Sequence, residues 1–173
     1  MNRRDSLKTL MASAGSLVVL PAWAQQWTRE SVPPLHGAFG TTGQQALTAI
    51  TDTIIPPGNA IGALSVGVDK FLIGLLENCY EEEVQQNVKK QLAALDTRAQ
   101  ATHQKNFASL NQSQREALLM TFARSEDKAE KDFFELMKSE TIRGFNTSKE
   151  VMMGYLKYKM VPGHYYGCVD ATS

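Results

Sequence analysis

The residues best suited to metal binding or nucleophilic catalysis are sparse in this chain of 173 residues. Its three histidines, His36, His103 and His164, lie far apart, and none forms the paired helical spacing that is typical of metal ligands. We therefore interpret them as ordinary surface or tail histidines. His164 lies four residues before Cys168, but that spacing alone does not bring an imidazole to a thiol. The sequence thus predicts neither catalytic residues nor metal ligands.

Sequence motifs that bind cofactors are absent as well. There is no Gly-x-Gly-x-x-Gly for a dinucleotide and no Cys-x-x-Cys-His for covalently attached haem. Two isolated cysteines cannot ligate an iron–sulfur cluster within one chain. We therefore expect no cofactor-binding residue in this chain.

The two cysteines differ in their sequence surroundings. Cys79 falls on a predicted apolar helix stripe, where a cysteine behaves as a small hydrophobe, so we expect its thiol to point into the core. Cys168 lies in a segment rich in Gly and Tyr, where a disulfide is the simpler interpretation in an oxidising compartment. Cys168 could pair with Cys79 or with a partner chain, and a free thiol is the third alternative. A core position of Cys79 slightly disfavours internal pairing.

Residues 1–24 have the form of a secretory signal peptide. A basic start is followed by an apolar run from Thr9 to Leu20, which is too short to span a bilayer, and by a small-x-small end that predicts cleavage after Ala24. The arginine pair makes the segment similar to a twin-arginine signal, which predicts export to the periplasm by that route. The residues that carry this prediction are Arg3, Arg4, Leu7, Lys8, Ala22 and Ala24.

The charge of the mature chain excludes several classes of protein. Residues 1–24 contain three basic residues and one acidic residue, out of 18 of each in the whole chain, so the mature part has a net charge near −2. No basic surplus indicates nucleic-acid binding, and no acidic block indicates a charged tail. The mature length is that of one ordinary domain with a real core.

Hydrophobic periodicity predicts a mainly α-helical domain of about five or six helices over residues 41–156. Thr42 followed by Gln45 has the form of a capping box, so we expect the first helix to begin there and to end before Pro56. The second helix is marked by apolar residues at helical spacing, which should form one buried stripe. Those residues are Val68, Phe71, Leu72, Leu75, Leu76 and Cys79.

The remaining helices are predicted from residue types that are typical of helix starts and helix ends. Glu81-Glu82-Glu83 suits the start of the third helix, which should end between Leu95 and Lys105. Asn111 and Gln114 are predicted to cap the fourth helix reciprocally. After a polar break we expect two more helices: one that ends at Gly144 and a short one from Ser148 to Leu156.

Both ends of the mature chain are predicted to be extended. Residues 25–40 form an arm in which Pro33-Pro34 forbids helix, and residues 157–173 form a tail with a turn at Pro162-Gly163. The tyrosine-rich end of the chain could fold back on the domain or wrap a partner, and we favour the partner because tyrosine suits interfaces. The predicted partner-docking residues are Tyr155, Tyr158, Pro162, Gly163, His164, Tyr165, Tyr166 and Gly167.

Four stretches, in order, resemble the gluconate 2-dehydrogenase subunit 3 family. Ala49–Pro56 resembles its A-D-T-I-I-P helix end, and Gly67–Phe71 resembles the G-V-x-x-F that opens its next helix. Gly144–Ser148 resembles its G-Y-x-T-S segment, and Val161–Cys168 resembles its V-P-G-x-Y-x-G-C tail. Tyr166 stands where an Asp is common in the family, so a contact made by that carboxylate is not carried over.

The resemblance implies a non-catalytic small subunit of a periplasmic flavin-dependent dehydrogenase. Its partner would be a large FAD-dependent flavoprotein of the glucose–methanol–choline type, which oxidises the CH–OH group of a sugar, sugar acid or glycoside. Electrons would pass to a cytochrome or quinone acceptor, with haem c in a c-type cytochrome partner. The complex would lie in the periplasm, at the membrane face only through its other subunits.

A twin-arginine signal is associated with cargo that folds before export, often with its cofactor bound. Its presence on a chain without a cofactor motif makes sense if a flavin-bearing partner is exported as a passenger. The competing hypothesis is a self-contained periplasmic helical enzyme or ligand-binding domain. Such a protein needs a pocket with converging polar groups, and the sequence offers no matching constellation.

Overall fold

The computed structural model describes residues 37–159 and Gly163, and they are mainly α-helical, as predicted. No strand occurs within these residues. The described part of the chain contains five α-helices: α1 (Gly40–Ile54), α2 (Val68–Asn78), α3 (Glu82–His103), α4 (Gln112–Ala123) and α5 (Lys128–Asn146). It also contains two short 3₁₀ turns, Ala63–Val66 and Phe107–Ser109, and one π-helical turn, Val151–Tyr155.

Helix α1 lies at the centre of the domain, where it contacts each of the other four helices. Its buried residues therefore extend around much of the helix, as expected of an element enclosed by its neighbours. Each fully buried large apolar side chain stabilises the fold by about 1.5–3 kcal/mol relative to exposure. The largest core side chains are Phe107, Phe122, Phe133, Leu47, Ile50, Leu72, Leu76, Leu95 and Met137.

The predicted N-cap of α1, Thr42, is wrong by three residues, because the N-cap is Phe39. The helix begins at Gly40, and its N-cap residue Phe39 makes no side-chain capping bond, so Thr42 and Gln45 do not form a capping box. A turn sets the start instead: Gly37 has a φ of 68°, and the Gly40 N–H donates to its carbonyl. Phe39 is then buried in the core. Burial of this aromatic ring outweighs the local capping preference.

The buried face of α2 differs from the predicted stripe. Val68, Leu72 and Leu76 are buried as expected, and Leu75 is half-buried. Ile73 is also buried, whereas Phe71 is 40% exposed. The reason is that α2 packs against both α1 and α5, which centres its buried face on Leu72 and Leu76.

The capping prediction for α4 is confirmed. The Asn111 side chain accepts a hydrogen bond from the Gln114 N–H at 2.9 Å, and the Gln114 side chain accepts one from the Asn111 N–H at 3.3 Å. Helix α3 opens within the predicted acidic run and ends at His103, inside the predicted interval. These ends were predictable because their signals are local in sequence.

The predicted end of α5 is wrong, because Gly144 lies inside the helix and is buried. The helix continues to Asn146, after which the hydroxyls of Thr147 and Ser148 donate to the carbonyls of Arg143 and Phe145. Gly144 serves a tertiary contact rather than a helix end. Its missing side chain lets α5 approach α2 closely.

None of the helices in residues 37–159 is both long and apolar enough to cross a bilayer. The predicted signal peptide and most of the predicted arm precede residue 37, so they lie outside the described residues.

Candidate partner-docking site

The segment that follows α5, residues 148–159, is called the C-terminal turn below. It is anchored by Val151, which is only 4% exposed, and begins where the Val151 N–H donates to the Ser148 hydroxyl at 3.4 Å. The Leu156 N–H donates to the Val151 carbonyl at 3.0 Å, and the Tyr158 N–H donates to the Met152 carbonyl at 2.8 Å. These bonds wind the segment into one compact turn with its anchor in the domain.

The C-terminal turn exposes an unusual amount of apolar surface. Met153, Leu156, Tyr155 and Tyr158 are 63%, 61%, 59% and 53% exposed. They are the four most exposed of the large hydrophobic side chains in the described part of the chain. Clustered apolar and aromatic exposure of this kind marks protein or membrane interaction sites, and tyrosine and methionine are enriched at interfaces.

Lysines flank this apolar surface. Lys149, Lys157 and Lys159 are all exposed, and Glu150 is the one acidic residue in the turn. Lys157 has a φ of 48°, so its backbone lies in the left-handed region and helical backbone geometry does not continue through it. The exposed apolar residues are therefore flanked in sequence by these three lysines, which are called the basic border below.

Two of the predicted docking residues, Tyr155 and Tyr158, lie on this surface, and Gly163 is exposed. Sequence reasoning missed Met153 and Leu156. Large apolar residues in a lysine-rich stretch where the helical pattern ends could have indicated an exposed apolar surface. The other predicted residues lie outside the described part of the chain: Pro162, His164, Tyr165, Tyr166, Gly167 and Cys168 in the tail, and Arg3, Arg4, Leu7, Lys8, Ala22 and Ala24 in the signal.

Cys79 does not occupy the predicted core position. It is the C-cap residue, which directly follows the last residue of α2, and it is exposed. The apolar spacing of the sequence continues to Cys79, but the helix ends at Asn78, so Cys79 is not part of its buried face. Because Cys79 is exposed, burial of its thiol does not disfavour a disulfide with Cys168.

A polar and aromatic cluster lies between α2 and α5, close to Cys79 in sequence. The Tyr80 hydroxyl donates to Glu140 Oε1 at 2.9 Å, and Glu140 is buried. Burial raises the pKa of the Tyr80 phenol, and the hydrogen bond to Glu140 raises it further. Arg143 pairs with Glu140 at 2.6 Å and places its guanidinium 5.9 Å from the centre of the Phe71 ring. The cluster neutralises the buried carboxylate and fixes α5 against α2.

The Ala49–Pro56 stretch is held to α4 by its own polar contacts. Arg115 Nη2 donates to Asp52 Oδ2 at 2.7 Å, and the two side chains are 13% and 20% exposed. The Gln112 side chain donates to the Thr53 carbonyl at 3.1 Å. Asp52, the acid of the A-D-T-I-I-P resemblance, therefore has a structural partner.

An apolar groove of about 520 Å³ lies beside this stretch. Its walls come from the end of α1 and from α4 and α5, so its composition depends on tertiary packing that no local pattern predicts. Exposed Met120 and Ile142 lie at its mouth. Its lining residues are Thr53, Ile54, Ile55, Pro56, Gln112, Glu116, Leu119, Met120, Phe134, Lys138 and Ile142.

Within the described residues, no group of three or more His, Cys, Asp or Glu side chains is placed to hold a metal ion. His103, the last residue of α3, lies 3.3 Å from the Gln114 side chain, so its imidazole has a structural partner. Four ion pairs occur within the described residues, and each has a structural role. Asp52 with Arg115 and Arg98 with Glu130 join two helices, whereas Glu140 with Arg143 and Glu135 with Lys138 are neighbours on α5.

Comparison with known proteins identifies the family. The model of the family described as "Gluconate 2-dehydrogenase subunit 3" matches residues 42–163, well over half of the chain. Neither the curated proteins nor the solved structures gave a match. The matched range includes the first three resembling stretches, the C-terminal turn and the start of the fourth stretch. This chain belongs to the gluconate 2-dehydrogenase subunit 3 family.

Proposed function

We propose that this chain is the cofactor-free small subunit of a periplasmic dehydrogenase complex, in which it binds and stabilises a large FAD-dependent flavoprotein. Membership of a subunit family implies partner subunits. The flavoprotein would be of the glucose–methanol–choline type and would oxidise a sugar, sugar acid or glycoside. A c-type cytochrome carrying haem c would be the electron acceptor within the complex.

The observation that carries this proposal is the C-terminal turn. It is folded and anchored at Val151, yet it exposes Met153, Tyr155, Leu156 and Tyr158 to solvent. Burial of this apolar surface against a partner would favour binding by about 25 cal/mol for each Å² removed from water. An apolar surface with tyrosines and a polar border has the composition of a protein interface. We therefore assign partner docking to this turn, continued by residues 160–167.

The export signal fits the same role. A subunit without a cofactor gains nothing for itself from a pathway that carries folded, cofactor-loaded cargo. If the flavoprotein binds FAD and this subunit in the cytoplasm, the signal at Arg3-Arg4 serves both chains. The small subunit then acts as an assembly and export partner of the enzyme.

Co-expression of the flavoprotein with the full chain, or with a chain that lacks residues 1–24, tests this role. We expect the flavoprotein to reach the periplasm only with the full chain, and to stay in the cytoplasm as a complex with the shortened one. Replacement of Arg3 and Arg4 by lysine provides a matched control that keeps the charge and tests the twin-arginine route. Equal periplasmic flavoprotein in all cases would refute the export role.

The binding role is tested separately in the cytoplasmic fraction. The chain without residues 1–24 should still co-purify with the flavoprotein and should raise its thermal stability, because a ligand that binds only the folded state stabilises it by mass action. A mature chain that oxidises a sugar with a dye acceptor and no partner would instead identify it as a self-contained enzyme.

A further inference from the structure

We propose that the partner surface that receives the C-terminal turn is an apolar pocket with a rim of carboxylates. This inference rests on the proposed function, because it concerns the chemistry of the site on the large subunit to which the turn docks.

The first observation is an asymmetry of charge along the described chain. Residues 37–140 contain ten basic and fourteen acidic residues, whereas residues 141–159 contain four basic residues and one acidic residue. The basic surplus thus coincides with the segment that exposes its apolar side chains. A partner surface of opposite sign would attract this end of the domain and would repel the rest of it.

The second observation is that the lysines of the turn have no ion-pair partner among the described residues. Of the four basic residues in this segment, Arg143 is paired with Glu140. Lys149, Lys157 and Lys159 are exposed, and none of them forms an ion pair with a described residue. Ammonium groups close in sequence to an apolar surface lose hydration when a partner covers that surface. Carboxylates on the partner would offset that loss.

The shape of the turn favours a protein pocket over an anionic membrane surface. Basic segments that bind membranes usually present a long helix face with many apolar residues. Here the exposed residues sit on one compact turn, which two backbone hydrogen bonds, from Leu156 to Val151 and from Tyr158 to Met152, hold together. A compact turn with a basic border matches a concave pocket with an acidic rim.

The test measures association rates between the mature chain and the flavoprotein subunit purified from the complex. The test variant carries Lys149→Glu, Lys157→Glu and Lys159→Glu. The matched control carries Lys90→Glu, Lys105→Glu and Lys131→Glu, three exposed lysines with the same change in charge. A third variant, Tyr155→Ala, reports on the apolar part of the site.

We expect the test variant to associate about 10- to 100-fold more slowly than the wild type at low ionic strength, and the control less than about 3-fold more slowly. The difference should shrink at high salt, since screening shortens the range of charge interactions to about 3 Å near 1 M. Thermal melting of each variant alone shows whether the change acts on folding instead, because a variant that melts like the wild type is still folded.

Three results would overturn the inference. If Tyr155→Ala weakens binding while the test variant associates like the control, the rim is not acidic but the docking role stands. If neither variant affects binding, both the inference and the docking role fail. If the turn lysines are needed for binding to phosphatidylglycerol vesicles but not to the flavoprotein, the basic border serves a membrane instead.

Discussion

Gly144 in α5 lies directly against the aromatic ring of Phe71 in α2. A β-carbon on Gly144 would lie 2.6 Å from Phe71 Cδ1 and 3.1 Å from Val68 Cγ1. Phe71 and Gly144 come from two of the stretches that resemble the family, so two matches far apart in sequence meet in one contact. This close approach places the end of α5, after which the C-terminal turn begins, against α2.

Gly144→Ala should therefore destabilise the domain. Overpacking typically costs about 1–3 kcal/mol, and alanine recovers at most about 1 kcal/mol of helix propensity over glycine. We expect a net fall of up to about 2 kcal/mol in the free energy of unfolding, measured by urea denaturation. Gly154→Ala is the matched control, because nothing lies within 4 Å of the β-carbon that it would add. Phe71→Leu should partly restore stability to Gly144→Ala, and additive effects would contradict the contact.

The Asp52–Arg115 pair should be a major link between α1 and α4. Removing one partner of a largely buried pair leaves the other charge uncompensated, so we expect Arg115→Ala to lower the free energy of unfolding by about 2–4 kcal/mol. Arg124→Ala, at an exposed site just beyond the same helix, should change it by less than about 0.5 kcal/mol. A double-mutant cycle with Asp52→Ala that shows no coupling would contradict the link.

Tyr80 should make the stability of the domain depend on pH in the alkaline range. Its pKa is raised in the folded state by burial and by Glu140, so the folded protein holds this proton more tightly than the unfolded chain does. The stabilisation is complete below the unfolded pKa of about 10, and it is lost as the pH rises from there through the folded pKa. Melting temperatures from pH 8 upward should fall more steeply for the wild type than for Tyr80→Phe. Parallel curves would contradict this assignment.

The exposed position of Cys79 leaves both proposed pairings of Cys168 open. We expect a disulfide at Cys168, and non-reducing gels should show either a compact monomer or a cross-linked species with the partner chain. In Cys79→Ser the compact monomer would be lost if the pairing is internal, whereas the cross-link would persist if it is external. Quantitative reaction of both thiols in the native, unreduced protein would exclude either disulfide.

The sequence predicted the fold class and most helices because their signals are local. The reciprocal cap of Asn111 and Gln114 is set by residues three apart, and it forms as expected. Gly144 was misread because its role lies in a contact with Phe71 that no local pattern records. The start of α1 was missed for a similar reason, since the burial of Phe39 in the core decides it.

The docking site was only partly predictable. The tyrosines at 155 and 158 stand out by type, and both are exposed. Met153 and Leu156 were missed, because apolar residues ordinarily predict a core and only the tertiary structure shows that nothing in the described chain covers them. The groove beside Pro56 could not be predicted, since three helices contribute to it.

The central claim is that the chain binds a flavoprotein through its C-terminal turn, and the dissociation constant of that complex tests it most directly. The two mature subunits would be purified and mixed, with binding measured by calorimetry. Tyr155→Ala and Tyr158→Ala should leave the melting temperature of the free small subunit unchanged, since both side chains are mostly exposed. Met120→Ala, at the mouth of the groove, is the control.

We predict that each tyrosine variant raises the Kd for the flavoprotein by about 10-fold or more, as expected for interface residues that contribute about 1.4 kcal/mol or more. The Met120→Ala variant should bind like the wild type. If both tyrosine variants bind the flavoprotein as tightly as the wild type, the C-terminal turn is not the docking site and the account is wrong.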